Sequence, residues 1–326
     1  MATLLNVAER AGVSVTTISR MLNNRVNVSE KTRKKIYAAM KELNYYPNEI
    51  ARSLTKKKSN IIGLIVPSAK NFFYSQIIEY TEYYAEKKGY KLLLCISNHD
   101  SEKESRYFGM LKANKVTGII IASRTQNLSD YITMDSPLIS IDRIISPGIP
   151  SISSDNYKGG IMAATEFITK GCKNLAYISG SADLDFEANK RFLGFRDACL
   201  SHGLTFPVFL DATEERFFSM DYREIVAELF QKHPYVEGIF TSNDIIAAQT
   251  IQYCNKHHIS IPGQVKLIGY DDTDVAALCS PSLSTIHQPI EEICQQAVEG
   301  IFMASAKGIL PRSQLLPVTF VERETT

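Results

Sequence analysis

The sequence predicts a small all-α head followed by an α/β body of two doubly wound, parallel-sheet lobes. Near the N-terminus, apolar residues recur at the three- and four-residue spacing of a helix, whereas apolar strands alternate with helices over residues 60–326. The alternating pattern occurs twice, which indicates two similar lobes. A chain of 326 residues is long enough for two or three domains of ordinary size.

The distribution of charge separates the head from the body. Residues 1–60 contain 12 Lys and Arg but 4 Asp and Glu, which gives a net charge of +8. The remaining residues contain 24 Lys and Arg and 31 Asp and Glu, which gives −7. A basic head on an acidic body favours a polyanion as the partner of the head. An ordinary solvated basic face is the alternative interpretation.

Several classes of protein are disfavoured by what the sequence contains. The six cysteines are scattered without a C-x-x-C pair, which argues against a disulfide scaffold or a zinc site. No apolar run is long enough to span a bilayer, and the amphipathic stretch 1–12 differs from a signal peptide, so we expect a cytoplasmic protein. Because there is no G-x-S-x-G motif, P-loop or metal-spaced His/Cys set, we predict no catalytic residue, cofactor or metal.

Three short helices are predicted in the head. Thr3 is a plausible N-cap for the first helix, and Gly12-Val13-Ser14 breaks it, because Gly12 can adopt a positive φ and Ser14 can cap a new helix. The second helix runs from about residue 15 to residue 22, and the third begins at Ser29. Two helices joined by a short turn that contains Gly are typical of a helix-turn-helix motif, although ordinary helical hairpins share this spacing.

In a helix-turn-helix motif, the second helix enters the major groove of DNA. Val15, Thr16 and Arg20 lie opposite the apolar stripe of that helix and are the predicted base contacts. Arg20 can bind guanine O6 and N7 with two hydrogen bonds, and the other two can meet a thymine methyl. The predicted phosphate contacts are mostly short polar side chains, namely Thr3, Thr17, Ser19, Asn23, Ser29 and Tyr45.

From NVAERAGVSVTTISRMLNN through KELNYYPNEIARSL, the head resembles the LacI family of bacterial repressors, and the resemblance continues through the body. It implies a DNA-binding domain at 1–46 and a hinge helix with its linker at 47–59. In that family the stretch matching 48–54 orders on operator DNA, which places Ala51 and Leu54 against bases, with Leu54 as an apolar wedge. Read without the family, this segment is too short to be a stable helix and Lys56–Lys58 belong to a solvated linker.

The repeat in the body consists of matching strands and helices. Its first copy has strands at 61–66 and 91–96 around a helix at about 73–88, and its second copy has strands at 175–179 and 206–210 around a helix at about 189–202. Each copy adds a strand that opens with Gly, at 118–122 and 238–241, and a strand that ends in Asp, at 137–142 and 265–271.

The family resemblance implies that these lobes form a periplasmic-binding-protein-like core, in which the chain crosses between lobes three times. The crossings are expected near Asp155, Gln288 and Arg312. The N-terminal lobe would then comprise 60–155 and 288–311, and the C-terminal lobe 156–287 and 312–326. Ligands bind beyond the carboxyl ends of parallel strands, so we expect the site in the cleft between the lobes.

The loops at these strand ends carry polar and aromatic side chains that suit a sugar. The predicted effector contacts are Phe73, Tyr74, Asp142, Arg143, Arg191, Asn243, Asp244 and Gln288. Five of them have a structural alternative: Asp142 and Asp244 can cap helices, Arg191 can form an ion pair, and the aromatic pair can staple a helix. Phe217 or Phe218 is expected to replace the family's cleft aromatic.

The function implied is a sugar-responsive repressor that binds operator double-stranded DNA as a homodimer, with a small sugar or sugar phosphate as effector and no membrane partner. The IDR and SSDNYKGG stretches most resemble the sucrose and oligosaccharide repressor branch. A periplasmic sugar-binding protein would explain the body but not the head, and an acidic stretch at 271–282 disfavours docking of a phosphoprotein. The sugar, the operator, the direction of the response and the choice of dimer or tetramer stay open.

Overall fold

The computed structural model describes residues 2–22, 28–45, 59–123, 136–180 and 186–326. The chain divides into two compact units, the head (Met1–Ser59) and the body (Asn60–Thr326). Within the described ranges, none of the helices combines the length and the apolar character needed to span a bilayer.

The described part of the head contains three helices, α1 (Leu4–Ala11), α2 (Val15–Leu22) and α3 (Glu30–Glu42). A capping box begins α1, because the Thr3 hydroxyl accepts from the backbone N–H of Asn6 and the Asn6 side chain accepts from the N–H of Thr3. Gly12 ends it in the left-handed conformation at φ 65°. Ser14 accepts a hydrogen bond from the Thr17 N–H at 3.1 Å. The predicted break between the first two helices is therefore confirmed.

A small apolar core holds these helices together. Its buried residues come from one stripe of each helix, namely Val7, Ala8, Ala11, Ile18, Met21, Ile36, Ala39 and Met40. Ser29 caps α3 by accepting from the Thr32 N–H. An exposed ion pair between Arg10 and Glu42 joins α1 to α3.

The first sheet of the body is built from β1 (Ile61–Val66), β2 (Lys91–Ile96), β3 (Gly118–Ile121), β4 (Leu138–Ile141), β5 (Ser151–Ser154) and β11 (Gln314–Leu316). The strands lie in the order β11-β5-β4-β3-β1-β2 and are all parallel. Helices α4 (Phe72–Lys87) and α12 (Ile290–Lys307) cover one face, and α5 (Ser101–Ala113) covers the other.

The second sheet contains β6 (Leu175–Ser179), β7 (Val208–Asp211), β8 (Gly238–Thr241), β9 (Lys266–Asp271), β10 (Ser284–His287) and β12 (Thr319–Val321). Their order is β12-β10-β9-β8-β6-β7, and β12 is antiparallel to β10. Its helices are α6 (Asn156–Thr169), α7 (Lys190–Ser201), α8 (Glu214–Ser219), α9 (Arg223–Lys232), α10 (Asp244–Lys256) and α11 (Asp274–Leu278). Apolar cores lie on both faces of this sheet too, so the predicted pair of doubly wound lobes is confirmed.

The chain passes from the first sheet to the second at Asp155 and returns after β10, next to Gln288. The third crossing lies after Leu316 and not near Arg312, where the sequence placed it. The reason is that β11 pairs in parallel with β5, and the Asp155 N–H donates to the Leu316 carbonyl at 2.8 Å. Residues 312–316 therefore belong to the N-terminal lobe.

Most of the predicted strand positions agree with the structure, and the differences have local causes. The strand predicted at 206–210 begins at Val208, because Pro207 has no N–H to donate to the sheet. Helix α4 begins at Phe72, one residue before the predicted start, because the Asn71 side chain caps it by accepting from the Phe73 N–H.

Helices α6 and α7 cross unusually closely, and glycines make this possible. A Cβ atom on Gly160 would lie 1.9 Å from the Arg191 carbonyl oxygen, and one on Gly194 would lie 1.9 Å from the Tyr157 carbonyl oxygen. The two backbones therefore touch, and this contact fixes the start of α7, from which the Arg191 side chain extends.

Candidate functional site

A cavity that is partly open to solvent lies in the body, where the carboxyl ends of strands from the two sheets face each other. The first lobe contributes Asn71, Phe73, Tyr74, Ser123 and Asp142 to its lining. The second lobe contributes Tyr177, Ser179, Asn189, Arg191, Phe217, Asn243 and Asp271. Five of the eight predicted effector contacts are thus brought together at one cleft, as expected for parallel sheets.

Arg191 is the most heavily constrained of these side chains. Its Nε atom donates to the Asn156 Oδ1 atom at 2.7 Å, and one terminal nitrogen donates to the Ser242 carbonyl oxygen at 2.5 Å. The guanidinium lies 3.7 Å from the Asp271 carboxylate and 4.0 Å from that of Asp142. Arg191 therefore lines the cleft, as predicted, and it also forms the ion pair that was the alternative interpretation.

Asn156 connects Arg191 to the first lobe. Its Nδ2 atom donates to the Asp142 Oδ1 atom at 3.0 Å, while its Oδ1 atom accepts from Arg191. Asp142 follows β4 with a φ of 52°, a left-handed conformation that Asp tolerates better than most residues. The amide of Asn156 thus holds a carboxylate of one lobe next to a guanidinium of the other.

Gln288 lies behind the cleft and does not line it. It is fully buried, its Nε2 atom donates to Asp271 at 2.6 Å, and its Oε1 atom accepts from the Ser154 hydroxyl at 2.7 Å. Ser154 and Gln288 sit at two of the three crossings between lobes. Gln288 therefore links the Asp271 carboxylate to two of the segments that join the lobes.

Asp244 is also outside the lining, although the sequence placed it at the effector. It is buried, and it accepts from the Thr273 N–H at 2.8 Å and from the Thr285 hydroxyl at 2.6 Å. These contacts fix the loop that follows β9. Burial, followed by the nearby Asp271 carboxylate, raises the pKa of Asp244 well above its usual range.

Arg143 is likewise buried outside the lining. One of its terminal nitrogens donates to the Ser123 carbonyl oxygen at 3.2 Å. Arg143 therefore holds in place the residue after β3 that lines the cleft. Asn243 does line the cleft, and its side chain also caps α10 by accepting from the Ile246 N–H.

Aromatic rings form part of the cleft wall. Phe73 and Tyr74 meet edge to face with their centroids 5.2 Å apart, and both also pack on the core of the first lobe. Phe217 of α8 lines the opposite side. Next to it, Phe218 stacks on His99 of the first lobe at 4.0 Å. Of the two candidates for the cleft aromatic, Phe217 is the one at the cavity.

Asn156, Asp271, Tyr177 and Ser123 were not among the predicted contacts. Asp271 ends a strand that the sequence had identified, so its position at the carboxyl end of β9 was a usable signal. Tyr177 lies inside a strand, where its buried neighbours made it look like core. Nothing in the sequence distinguishes Asn156 from a residue that simply begins a helix.

The head presents a second candidate surface on α2. Val15, Thr16 and Arg20 are exposed, whereas Ile18 and Met21 on the opposite face are buried. This is the arrangement expected of a helix that reads the major groove.

The predicted phosphate contacts fall into two groups. The described ones are Thr3, Thr17, Ser19, Ser29 and Tyr45. Among these, Thr3 and Ser29 cap helices, and Tyr45 packs against the head core. Asn23 and the predicted base contacts Ala51 and Leu54 lie outside the described residues.

No group of three or more His, Cys, Asp or Glu that could hold a metal occurs in the described part of the chain. The free cysteines are mostly buried, and burial raises the pKa of the Cys254 thiol to about 12. The described lining of the cleft offers hydrogen-bonding groups, two carboxylates, one guanidinium and aromatic faces.

Comparison with known proteins gives consistent matches for both units. Residues 3–48 match the family described as bacterial regulatory proteins, lacI family, and residues 164–326 match the periplasmic binding protein-like domain. The chain is 38% identical to the sucrose operon repressor of Streptococcus mutans, over 100% of this chain and 99% of that protein. It is 37% identical to the ribose operon repressor of Bacillus subtilis, again over 100% and 99%.

A solved structure agrees with these matches. The periplasmic binding protein/LacI transcriptional regulator from Alkaliphilus metalliredigens, complexed with D-xylulofuranose, is 34% identical and superimposes with a TM-score of 0.72. The match covers 82% of this chain and 99% of that one.

Proposed function

The chain belongs to the LacI family of bacterial regulatory proteins, and from this premise we propose that it is a repressor of a sugar-utilisation operon. Its head binds operator DNA in a sequence-specific way, and a small sugar between the two lobes controls that affinity. The observation that carries the proposal is the joint presence of a helix-turn-helix head and a cleft lined by carboxylates, amides and aromatic rings. Two relatives that match over the full length of this chain are named as operon repressors.

Recognition of DNA is assigned to α2. The exposed Arg20 offers a planar pair of donors for guanine, and Val15 and Thr16 offer methyl groups for thymine. The excess positive charge of residues 1–60 attracts the phosphate backbone. In the family, the segment that contains Ala51 and Leu54 pairs with its copy in the minor groove, and we propose the same use here.

The repressor acts as a homodimer, because two heads related by a two-fold axis match a near-palindromic operator. It works in the cytoplasm, where that DNA is found. Two relatives of nearly equal identity are named for different sugars, sucrose and ribose, so the resemblance to the sucrose branch stays a prediction.

Control by the sugar follows from linkage. A ligand that binds one arrangement of the lobes more tightly than another shifts the population toward it, and DNA affinity shifts with that population. The contacts of Gln288 with Asp271 and with Ser154 give a physical route, because they join the cleft to the crossings.

Selection from a random pool of DNA duplexes tests the proposal. The full-length protein should enrich near-palindromic sequences, and fluorescence anisotropy should show affinity that falls steeply as salt rises. A thermal-shift panel of sugars should then identify a ligand that raises the melting temperature and changes operator affinity. Failure to enrich any sequence, or a sugar that binds without changing DNA affinity, contradicts the proposal.

A further inference from the structure

The charged groups that line the cleft decide what kind of sugar it can hold. Among the described lining residues, these groups are Asp142, Asp271 and Arg191, so the carboxylates outnumber the guanidinium by two to one. The described part of the lining therefore carries a net negative charge, and its cation is already shared between the two carboxylates.

The guanidinium of Arg191 is not an open anion site. It faces both carboxylates, at 3.7 Å and 4.0 Å, and it donates to Asn156 and to the Ser242 carbonyl oxygen. An incoming phosphate would have to compete with two carboxylates that are fixed to the fold. Because like charges at short range in a desolvated cleft repel strongly, a dianionic phosphate is disfavoured.

Helix N-termini could offset this charge, since their free N–H groups attract anions. Helices α4 and α10 both begin at the cavity. However, the Asn71 side chain accepts from the Phe73 N–H at 3.0 Å, and the Asn243 side chain accepts from the Ile246 N–H at 3.0 Å. A neutral amide oxygen thus occupies one donor in the first turn of each of these two helices, so fewer N–H groups are free there to hold a phosphate.

The remaining polar groups suit hydroxyls. The Ser123 hydroxyl is buried at the cavity wall, and no described residue forms a hydrogen bond with it. The carboxylates can accept from sugar hydroxyls, and the rings of Phe73 and Phe217 can cover an apolar sugar face. Each of these contacts is available to an uncharged polyol.

We propose that the effector of this cleft is an uncharged sugar and not a sugar phosphate. The inference rests on the proposed function, because it assumes that a sugar binds between the lobes. It narrows the ligand class that the sequence left open. It also assigns to Ser123 a hydrogen bond with a sugar hydroxyl.

Titration calorimetry of the full-length protein with matched pairs tests the proposal. The pairs are ribose and ribose 5-phosphate, fructose and fructose 6-phosphate, glucose and glucose 6-phosphate, and sucrose and sucrose 6-phosphate. We expect the sugar that binds to do so at least about tenfold more tightly than its phosphate. A phosphate that binds as tightly as its parent sugar, or more tightly, overturns this inference but leaves the proposed function standing. Absence of binding by all eight compounds at millimolar concentration overturns both.

Variants separate the charge argument from simple lack of space. Asp142→Asn removes one negative charge at nearly constant volume, so the preference for the neutral sugar should shrink several-fold. Asp197→Asn on the outer side of α7, where Asp197 bonds to Tyr157 and Arg196, is the matched control and should leave the ratio unchanged. An unchanged ratio in Asp142→Asn would overturn the assignment of the preference to charge.

Ser123→Ala tests the hydrogen bond assigned to the Ser123 hydroxyl. This variant should bind the neutral sugar more weakly, and full affinity would overturn that assignment.

Discussion

The guanidinium of Arg191 lies 3.6 Å from the centroid of the Tyr270 ring, which covers its face. Its edge meanwhile donates to Asn156 and to the Ser242 carbonyl oxygen. A planar cation is therefore held on its face by a ring and along its edge by oxygen acceptors. The ammonium of Lys, a compact point charge, cannot make both kinds of contact at once.

The first prediction is that Arg191→Lys lowers sugar affinity by at least about tenfold while operator affinity without sugar stays nearly unchanged. Lys keeps the positive charge between Asp142 and Asp271 but loses the planar edge that positions Asn156. Calorimetry with the identified sugar and anisotropy with operator DNA measure the two affinities. Arg196→Lys, on the same helix and paired with Asp197 at the surface, is the control and should resemble the parent.

Arg191→Ala is a less informative variant, because it would leave the buried Asp271 and the partly buried Asp142 without their cation. Removing one partner of a buried pair costs about 3–5 kcal/mol. Equal losses of sugar affinity, operator affinity and thermal stability in Arg191→Lys would mean that Arg191 serves only the fold.

The second prediction concerns the contact between α6 and α7. Gly160→Ala should lower the free energy of unfolding by about 1–3 kcal/mol or more, because the new methyl group meets backbone atoms that cannot rotate away. Sugar affinity should fall too, since the helices must separate at Arg191. Urea unfolding and calorimetry measure these effects.

Gly109→Ala is the matched control for this substitution. Gly109 lies within α5, and a Cβ atom there would meet nothing within 4 Å. Alanine inside an exposed helix should raise stability by about 0.5–1 kcal/mol relative to glycine. If both substitutions have the same effect, the close crossing does not constrain the fold.

The third prediction is a pH dependence that arises from Asp244. Its pKa is raised in the folded protein, so the fold retains a proton that the unfolded chain releases above about pH 4. Stability contributed by this proton is complete at low pH and is lost as the pH rises toward the folded pKa. Asp244→Asn, which resembles the protonated form, should flatten the fall in stability between about pH 5 and pH 7.

Urea unfolding at the two pH values measures this slope. Asp221→Asn is the control: this surface carboxylate bonds to Arg223, which lowers its pKa to about 2, so it stays ionised across the range. A large loss of stability at both pH values in Asp244→Asn would show instead that the folded protein needs the ionised carboxylate.

These variants also show which features a sequence can predict. Central strands such as β1 and β8 carry mostly apolar runs, and runs of this kind are typical of parallel strands buried on both faces. The strand β11 was missed because three residues, two of them exposed, carry no such pattern. Its position depends on pairing with β5, which lies more than a hundred residues away in the chain.

The cleft was predictable at strand ends but not beyond them. Asp142 and Asp244 look alike in sequence, since each lies just after a strand, at the start of a loop or a helix. Only the fold shows that Thr273 and Thr285 enclose Asp244, while Asp142 faces the cavity. Burial and partners from distant segments decide such roles, and local patterns do not encode them.

The fourth prediction is that Arg20→Ala weakens operator binding by about 1–3 kcal/mol and relaxes specificity at one base pair in each half-site. Arg20 is exposed on α2, opposite the buried Ile18 and Met21, so its loss should not affect the head core. Competition assays with single-base variants of the operator measure the change. Equal weakening on every DNA sequence would identify Arg20 as a phosphate contact instead.

The fifth prediction concerns the contact between His99 and Phe218, which closes the cleft on the side away from the crossings. His99 follows β2 and Phe218 belongs to α8, which follows β7. β2 and β7 are the outermost strands of their sheets, whereas crossings leave from β5 and β10 near the opposite edges. The two rings stack at 4.0 Å with an interplanar angle of 24°.

Because this stack joins the lobes where no chain segment does, Phe218→Ala should favour opening of the cleft. An aromatic pair contributes about 0.5–1.5 kcal/mol, so the dissociation constant for the sugar should rise about 2- to 10-fold, with faster release. The free energy of unfolding should change little, since the Phe218 side chain is 45% exposed and lies outside the core of its lobe. Stopped-flow binding and urea unfolding measure the two effects.

Tyr235→Ala removes an aromatic ring that is 82% exposed, and it serves as the control. Unaltered sugar release in Phe218→Ala would show that the stack does not hold the lobes together, whereas restored affinity in Phe218→Tyr would confirm that a ring at this position does.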